Sequence, residues 1–385
     1  MVKFNEEDVK GLLGWLRGVA AGVAEAFGLD KYSKKIVFGE FLASWLLVSA
    51  HSSSSLREHG RQFRTAGLSL SPSSISYRLN NWRNLVPALF KVFGRMVGCV
   101  KQKTRSSFLA SVANYVVGKL AVFDTSWLTF SSRLVFWALP GGGGAEHKTF
   151  VKLLVRTIIG ADGAGTVEHV AVRWDSRSFD DNSFLEEATS IGETGVTFIN
   201  DEGFNRLLRL REITEKGNHF IAPYHGYAIS DAERLELEPE DVEYGVKEDI
   251  KCILGAKDNP GRMVARVITA IVTCRGGKHR KLRLVTDRFD LPARIILEIY
   301  RLRWSIEVLF RLLKRGGFDL EKPSARSPQG VVAHILLVIL AFLLAVLASI
   351  MCGAGFDIRH PSVLYFRSWL EVHGGTLLIG VLDPG

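Results

Sequence analysis

Four polar residues in the last third of the chain have the spacing of one face of a helix. They are Tyr300, Arg303, Glu307 and Lys314. Their separations of three, four and seven residues place the side chains on one side of an α-helix, and apolar residues between them predict an opposite face packed on a core. A carboxylate flanked by cations suits a site that handles a metal ion and a phosphodiester. The same spacing also fits an exposed row of ion pairs.

The order and intervals of these residues resemble the YREK signature of DDE transposases from prokaryotic insertion sequences, in the group named after insertion sequence four. The resemblance implies that Glu307 is catalytic. It implies that Tyr300 and Arg303 contact the DNA backbone near the cleaved end. It also implies that Lys314 contacts another phosphate, with Arg311 assisting from the same helix.

Transposases of that family carry two further aspartates on strands upstream of the glutamate, and two segments of this chain supply candidates. Residues 120–129 predict an apolar strand that contains Asp124, and residues 196–204 predict a second short strand followed by Asp201, Glu, Gly and Phe. A single Asp at a strand end is also an ordinary turn former or helix cap. The resemblance therefore names Asp124, Asp201 and Glu307 as the catalytic triad.

Other aspartates compete with Asp201 for the second position of the triad. They are Asp162, Asp175, Asp180 and Asp181. All four lie in Gly-rich or turn-like sequence, and no apolar strand runs directly into them. We therefore prefer Asp201 as the second acid.

Three clustered carboxylates predict a divalent cofactor. Cleavage and joining of DNA are in-line displacements at phosphorus, and two metal ions can activate the attacking oxygen and stabilise the leaving one. Hard carboxylate oxygens select Mg²⁺, for which Mn²⁺ substitutes. The expected cofactor is therefore two Mg²⁺ ions per site, held by the same triad of acids.

The distribution of charge predicts where DNA binds. The chain has 385 residues and a formal net charge of +9, and residues 1–115 alone hold sixteen Lys and Arg against seven Asp and Glu. The remainder is therefore near neutral overall. A basic N-terminal region favours a polyanionic partner, here double-stranded DNA of the element's ends and of the target.

Within the basic region, residues 55–82 have the punctuation of a helix-turn-helix. One helix is expected to end near Phe63, and Ser71 with Pro72 is expected to open a second. That second helix would present Arg78 and Asn81 to a major groove. An ordinary helical hairpin with exposed polar residues is the alternative interpretation.

The order of the predicted elements favours an α/β fold, with an all-α DNA-binding domain before an RNase H-like catalytic core that has a β-rich insertion. The core is expected to contain three strands, a helix and a fourth strand, with the first and fourth strands side by side. The three strands are residues 120–129, 134–139 and 150–159, and the helix is residues 182–190. The expected division is a helical domain at 1–115, the core at 116–222 and 288–355, the insertion at 223–287, and a C-terminal tail at 356–385.

Two further segments bear on the partners and the location of the protein. The uncharged run 331–352 is long enough to span a bilayer, but it contains His334 and has no second span beside it, so we expect a buried helix that covers the sheet. The acidic stretch 231–249 is expected to face solvent or a partner subunit. The chain shows no secretory signal or paired cysteines, which favours a cytoplasmic, nucleoid-associated protein with no membrane partner.

The sequence therefore predicts a transposase that binds the ends of its insertion sequence and catalyses metal-dependent cleavage and strand transfer. A homodimer is expected in the synaptic complex, because two ends must be paired. Three alternatives remain open. The chain could be a nuclease of the same fold without strand transfer, an inactive DNA-binding relic, or a membrane-anchored protein.

Overall fold

The structure is a computed structural model. It describes residues 4–31, 36–51, 55–65, 70–103, 118–133, 135–140, 147–159, 165–273, 277–352, and the single positions 366, 369 and 370. Two compact units are distinguished by their internal packing. The first comprises residues 1–106, 127–152 and 308–385, and the second comprises residues 107–126 and 153–307.

The helices of the described residues run from α1 to α11. They are α1 (Glu6–Phe27), α2 (Phe38–His51), α3 (Leu56–Thr65), α4 (Pro72–Asn81), α5 (Leu85–Lys103), α6 (Leu185–Thr189), α7 (Leu207–Glu215), α8 (Pro239–Tyr244), α9 (Ala293–Arg301), α10 (Trp304–Arg315) and α11 (Pro328–Met351). The predicted start of the second helix of the helix-turn-helix is confirmed. Ser71 caps α4 by accepting the Ser74 N–H, with Pro72 in the first turn.

The strands of the described residues run from β1 to β10. They are β1 (Lys119–Ser131), β2 (Leu139–Pro140), β3 (Lys148–Ile159), β4 (Gly165–Arg173), β5 (Val196–Ile199), β6 (His219–Pro223), β7 (Ile229–Arg234), β8 (Val246–Leu254), β9 (Met263–Thr273) and β10 (His279–Thr286). The fold is thus mixed α/β with a large mixed sheet.

The first unit contains the N-terminal helices and α11. Helix α11 packs mainly against α5, α2, α4 and α1. The prediction that residues 331–352 form a buried helix is confirmed, because 94% of its most apolar window is buried. The neighbours of α11 within the first unit are mainly helices, and the expectation that it covers the sheet stays a prediction. A helix that is apolar on every side must be buried, but its composition does not select the neighbour.

His334 is the polar residue that interrupts the apolar run of α11. Its ring lies 3.2 Å from the Asp319 carbonyl oxygen, to which Nε2–H donates. Burial lowers the pKa of His334 to about 4. The imidazole is therefore neutral near pH 7, and it ties α11 to the segment that follows α10.

The second unit holds most of the sheet. Its strands lie in the order β3, β1, β5, β6, β10, β9, β8 and β7, with β4 beside β3. Strand β1 pairs in parallel with β5, β5 pairs in parallel with β6, and β10 then pairs antiparallel with β6. The strands of the expected insertion therefore extend the same sheet. Their core is continuous with that of β1 and β5 and includes Phe123, Phe198, Phe204 and Phe220.

Two strand predictions need correction. The predicted strand 134–139 is wrong, because of its described residues only Leu139 is in a strand, the two-residue β2 in the first unit. The third long strand is instead β4, which the sequence analysis missed. Strand β4 has the polar residues Glu168 and His169 in its middle, so it lacks the apolar run that a buried strand usually shows.

The acidic stretch 231–249 is also less exposed than predicted. Asp249 is 2% exposed and forms a bidentate ion pair with the guanidinium of Arg266. Asp241 is equally buried and pairs with Arg294 at 3.3 Å. Burial of a carboxylate is tolerated where a cation and hydrogen bonds compensate its charge. Only part of this stretch faces solvent, including most of the edge strand β7.

Candidate active site

The pairing of β1 with β5 determines where two of the predicted acids lie. Val122 faces Ile199 in the parallel register of these strands. Asp124 and Asp201 each lie two residues further along, so they meet at the same edge of the sheet. The residues that directly precede these two acids are buried, and all of them except Thr197 and Asn200 are apolar. The predicted adjacency of these two strands is confirmed.

The residues of the YREK-like signature are carried by two helices. Helix α9 ends at Arg301 and α10 begins at Trp304. Between them the backbone forms tight turns, in which the Leu302 N–H donates to the Ile299 carbonyl and the Arg303 N–H donates to the Tyr300 carbonyl. The prediction of one continuous helix is wrong. The apolar side of the signature is nevertheless buried as predicted, at Leu302, Ile306, Leu309, Phe310 and Leu313.

Arg303 joins two of the three predicted acids. Its Nη1 lies 3.2 Å from an Asp201 carboxylate oxygen and 2.8 Å from a Glu307 carboxylate oxygen. Its guanidinium carbon is 5.9 Å from the centre of the Tyr300 ring, within the range of a cation–π contact. The turn between α9 and α10 therefore brings Tyr300, Arg303 and Glu307 to the end of β5.

A buried arginine positions the loop that leads into α9. The side chain of Arg288 is 3% exposed, and its Nη1 donates to Thr197 Oγ1 on β5 at 2.7 Å. Its other nitrogens form an ion pair with Asp290. Arg266 also donates to the carbonyl groups of Arg288 and Leu291. These contacts hold the start of α9 against β5, the strand that precedes Asp201.

Asp124 has a different electrostatic environment from Asp201 and Glu307. Burial raises the pKa of Asp124 to about 7, and the nearby charges of Asp201 and Asp181 raise it further, while the Thr125 N–H and Arg303 lower it. Asp201 and Glu307 are instead in direct contact with Arg303. Burial also raises the pKa of Tyr300 to about 12, so its phenol stays protonated at neutral pH and can donate a hydrogen bond.

The donor set has the chemistry that a divalent ion requires. Within the described residues, no group of three or more His, Cys, Asp or Glu side chains is arranged to hold a metal ion. Asp201 and Glu307 are instead in contact with the guanidinium of Arg303. Asp124 is a largely buried carboxylate whose charge a bound cation would compensate. Carboxylate oxygens such as those of Asp124, Asp201 and Glu307 are the hard donors that Mg²⁺ and Mn²⁺ prefer.

The other two predicted DNA contacts on α10 lie in the first unit. Lys314 Nζ donates to the Trp127 carbonyl and lies 3.3 Å from a Glu321 carboxylate oxygen. Glu321 also accepts the Thr129 N–H at 3.1 Å. Arg311 is exposed on α10. Lys314 is thus engaged by its own group of partners, separate from the contacts of Arg303.

The predicted DNA-reading residues of α4 differ in exposure. Asn81 is exposed, and its side-chain amide donates to the Tyr77 carbonyl one turn earlier. Arg78 is partly buried over the Trp82 ring, 4.7 Å from its centre, and burial lowers its pKa. Both residues line an open groove of about 940 Å³, which also contains the cations Lys31 and Arg83.

The structure places two further residues, Thr125 and Asp181, beside Asp124. Neither was predicted as a site residue from the sequence. Thr125 donates its N–H to an Asp124 carboxylate oxygen at 2.7 Å, and its hydroxyl donates to Asp181 at 2.5 Å. No apolar strand leads into Asp181, so the sequence favours Asp201 over it as an acid of the site. The position of Asp181 depends on a non-local contact, and no local sequence signal indicates such a contact.

Comparison with known families identifies the class of protein that this fold and site belong to. A family profile described as "Transposase DDE domain" matches residues 136–344, which is more than half of the chain, so the protein belongs to that family. The matched range contains Asp201 and Glu307 and begins after Asp124. The protein is therefore a DNA transposase, and its partner is DNA.

A particular relative is consistent with this assignment. The chain is 22% identical over 309 residues to a protein described as a probable transposase for insertion sequence element IS5377 from Geobacillus stearothermophilus. The alignment covers 76% of this chain and 72% of the relative. DDE transposases are metal-dependent, and membership of this family implies a cytoplasmic protein. This location agrees with the burial of α11 inside the protein.

Proposed function

We propose that this transposase cleaves the ends of its insertion sequence and joins them to target DNA with Asp124, Asp201 and Glu307 as its catalytic carboxylates. The observation that carries the proposal is the convergence of three acids that are far apart in sequence. The β1–β5 register supports the pairing of Asp124 with Asp201, and Arg303 links Asp201 to Glu307. We also propose that the core is RNase H-like, since β1, β3 and β4 precede α6 and the parallel strand β5.

The same three carboxylates would hold the metal, as two Mg²⁺ ions or two Mn²⁺ ions. When bound, such ions activate an attacking oxygen and stabilise a leaving oxygen at phosphorus. Asp124 must be ionised to serve as a ligand, and its pKa of about 7 means that a proton leaves its carboxyl group near neutral pH. Asp201 and Glu307 would hold the metal with the carboxylate oxygens that now contact Arg303.

Bound DNA offers a new partner for the Arg303 side chain when it leaves the carboxylates. Arg303 can pair with a phosphate in place of Asp201 and Glu307, since guanidinium groups bind both kinds of oxyanion bidentately. The Tyr300 phenol can donate to the same backbone. Lys314 and Arg311 would contact phosphates further along α10. These roles match those expected of the YREK subgroup, to which we assign the protein as a proposal.

End recognition is proposed for the N-terminal helical region. The stripe Ser73, Tyr77 and Asn81 is exposed along α4, and Asn81 is the residue best placed to reach a base edge. Because Arg78 is stacked on Trp82, its more natural role is to bind a backbone phosphate at the rim of the groove. Phosphate contacts position a protein, whereas base contacts specify the sequence.

The domain division given by the sequence is retained as part of this proposal. A helical DNA-binding domain at 1–115 would precede the core at 116–222 and 288–355, with the insertion at 223–287 and a tail at 356–385. The boundary near residue 115 and most of the tail lie outside the described residues. A homodimer on paired ends and association with the nucleoid complete the proposal.

The test is cleavage of DNA that carries the sequences flanking the gene, with Mg²⁺ or Mn²⁺. We expect metal-dependent cuts that leave a 3′ hydroxyl at a defined end, followed by joining to a target duplex. Asp124→Asn and Asp201→Asn should each abolish both steps, while Asp175→Asn, which removes an exposed carboxylate paired with Arg177, should leave both intact.

Other outcomes select the other candidate functions. Cutting without joining would indicate a nuclease. Specific binding without cutting in any metal would indicate a relic that retains only its DNA-binding region. Cutting that survives Asp124→Asn and Asp201→Asn would disprove the assignment of these acids.

A further inference from the structure

Asp181 lies beside the proposed acids although it is not one of them. It begins a short 3₁₀ turn, Asp181–Phe184, between β4 and α6. Its carboxylate accepts the Thr125 hydroxyl at 2.5 Å. Thr125 directly follows Asp124 on β1, so a residue 56 positions further along the chain contacts the strand that carries the first acid.

The same carboxylate also lies against the turn that follows Asp201. A side-chain carbon added at Gly203 would come within 2.6 Å of Asp181 Oδ2. Any residue other than glycine at position 203 would therefore push the Asp181 carboxylate out of place. Asp181 thus touches the segment after Asp124 with one oxygen and the segment after Asp201 with the other.

A set of hydrogen bonds holds the Asp181 turn in this position. Asn182 Oδ1 accepts the N–H groups of Asn205 and Arg206, both at 3.0 Å, and its Nδ2 donates to the Gly203 carbonyl at 3.1 Å. Asp180 adds an ion pair with Arg206 at 2.8 Å. The turn that follows Asp201 is supported by Phe204, whose ring packs edge-on against that of Phe123 with 4.8 Å between the ring centres. The location of Asp181 is therefore set by tertiary contacts on both of its flanks.

The contacts continue from Asp181 to the carboxylate of Asp124. The Thr125 hydroxyl is held by Asp181, and the Thr125 N–H donates to Asp124 Oδ1 at 2.7 Å. Fixing Thr125 therefore fixes the donor that orients the first acid. Partners of this kind commonly set the orientation of metal-binding groups without touching the metal.

We propose that Asp181 is a positioning residue of the transposase site, which acts through Thr125 on Asp124 and through Gly203 on the turn after Asp201. The proposal rests on the proposed function of these acids in binding metal. It assigns Asp181 a role distinct from that of a ligand, because one of its oxygens accepts the Thr125 hydroxyl and the other fills the space that a side chain at position 203 would need.

The experiment measures binding of Mn²⁺ to the full-length protein without DNA, as the rise in unfolding temperature during a titration to millimolar Mn²⁺. Asp181→Ala and Thr125→Val remove the two ends of the same hydrogen bond. Asp181→Asn and Thr125→Ser keep an acceptor and a donor respectively. Asp175→Ala is the matched control, and Asp124→Asn is the reference for loss of the site.

We expect Asp181→Ala and Thr125→Val each to weaken Mn²⁺ binding about tenfold or more. The double variant should bind Mn²⁺ with the same affinity as the single variants. Asp181→Asn and Thr125→Ser should bind close to the wild-type protein, as should Asp175→Ala. Non-additivity of the two changes is the signature of one shared hydrogen bond.

Three results would overturn the inference. If Asp181→Ala lowers the metal-free unfolding temperature but leaves Mn²⁺ affinity unchanged, Asp181 supports only the fold. If Asp181→Asn is as damaging as Asp124→Asn while Thr125→Val is neutral, Asp181 is itself a ligand. If wild-type and Asp124→Asn proteins respond identically to Mn²⁺, the proposed metal site fails, and this inference fails with it.

Discussion

The two cations of the YREK-like signature, Arg303 and Lys314, are similarly buried but have different partners. The side chain of Arg303 is 17% exposed and pairs with Asp201 and Glu307, while that of Lys314 is 19% exposed and pairs with Glu321 and a backbone carbonyl. Arg303 therefore contacts the proposed catalytic acids themselves. Lys314 contacts a carboxylate that has no proposed catalytic role.

This difference shows what the spacing of a motif can and cannot specify. Both cations are paired with carboxylates and are similarly buried, so neither their charge nor their burial distinguishes them. The identity of the partner does, because moving Arg303 changes the charge balance of the acids, whereas moving Lys314 changes a local contact near Trp127 and Thr129.

The largest expected difference is between the two glutamates. Glu307→Gln should lower the rate of DNA cleavage by ~1,000-fold or more, because an amide is a poor substitute for a carboxylate that binds a divalent ion. Glu321→Gln should retain most of the activity. The measurement is single-turnover cleavage of an end substrate in Mg²⁺, and equal losses in the two variants would contradict the comparison.

The second expected difference concerns pH. The pKa of Asp124 is about 7 in the folded protein and near 4 in an unfolded chain. The folded state therefore holds a proton that the unfolded state releases between about pH 4 and 7, so Asp124 contributes stability that is lost as pH rises through about 7. The expected loss is on the order of 2–4 kcal/mol.

Chemical unfolding in EDTA at pH 5 and pH 8 measures this effect. Stability should fall across that interval in the wild-type protein and in Glu321→Gln, and Asp124→Asn should remove most of the fall. Added Mn²⁺ should act in the opposite direction, because its binding requires the ionised carboxylate and strengthens as pH rises. A fall of equal size in Asp124→Asn would show that another group is responsible.

The third expected difference is between the two cations in metal binding without DNA. Arg303→Gln removes the cation that Asp201 and Glu307 contact, so the affinity for Mn²⁺ should rise about tenfold, or about 1.4 kcal/mol. Lys314→Gln should leave Mn²⁺ affinity unchanged. Both variants should bind end DNA more weakly, each with a smaller salt dependence. A fall in Mn²⁺ affinity in Arg303→Gln would disprove competition between the guanidinium and the metal.

The smallest expected difference is in stability. Glu321 accepts both the Lys314 ammonium and the Thr129 N–H, so Glu321→Ala should destabilise the folded protein by about 1–2 kcal/mol. Glu307→Ala should cost less at pH 8 without metal, since it also relieves repulsion among the three acids. Urea unfolding of the two variants tests this order, and a larger cost at Glu307 would reverse it.

Local sequence signals predicted much of the secondary structure. Ser71 with Pro72 marked the start of α4, and the apolar runs before Asp124 and Asp201 marked the strands that bring these acids together. These signals are short-range, because a helix cap and a buried strand depend on nearby residue types. Such signals could not predict that α11 packs on α5, because a helix that is apolar on all sides has no single apolar face to indicate its neighbour.

The sequence predicted which residue types form the candidate site. It did not predict the helix break, the ion pairs or the hydrogen bonds that bring them together. The apolar period runs unbroken through Leu302 and Ile306, so the sequence gives no sign of the break between α9 and α10. The ion pairs of Arg303 could not be predicted either, because each depends on tertiary placement. No apolar strand leads into Asp181, although contacts with Thr125 and Gly203 bring it to the site.

The packing of α11 also affects how the chain folds during its synthesis. Helices α1, α2 and α5 pack against α11, which begins more than 200 residues after α5 ends. At typical rates of about 5–20 residues per second, the ribosome needs on the order of ten seconds or more to make that intervening stretch. Nascent chains stalled before Pro328 should therefore be cut by protease within their first hundred residues. The region proposed to recognise DNA thus completes its apolar core only after α11 has been synthesised.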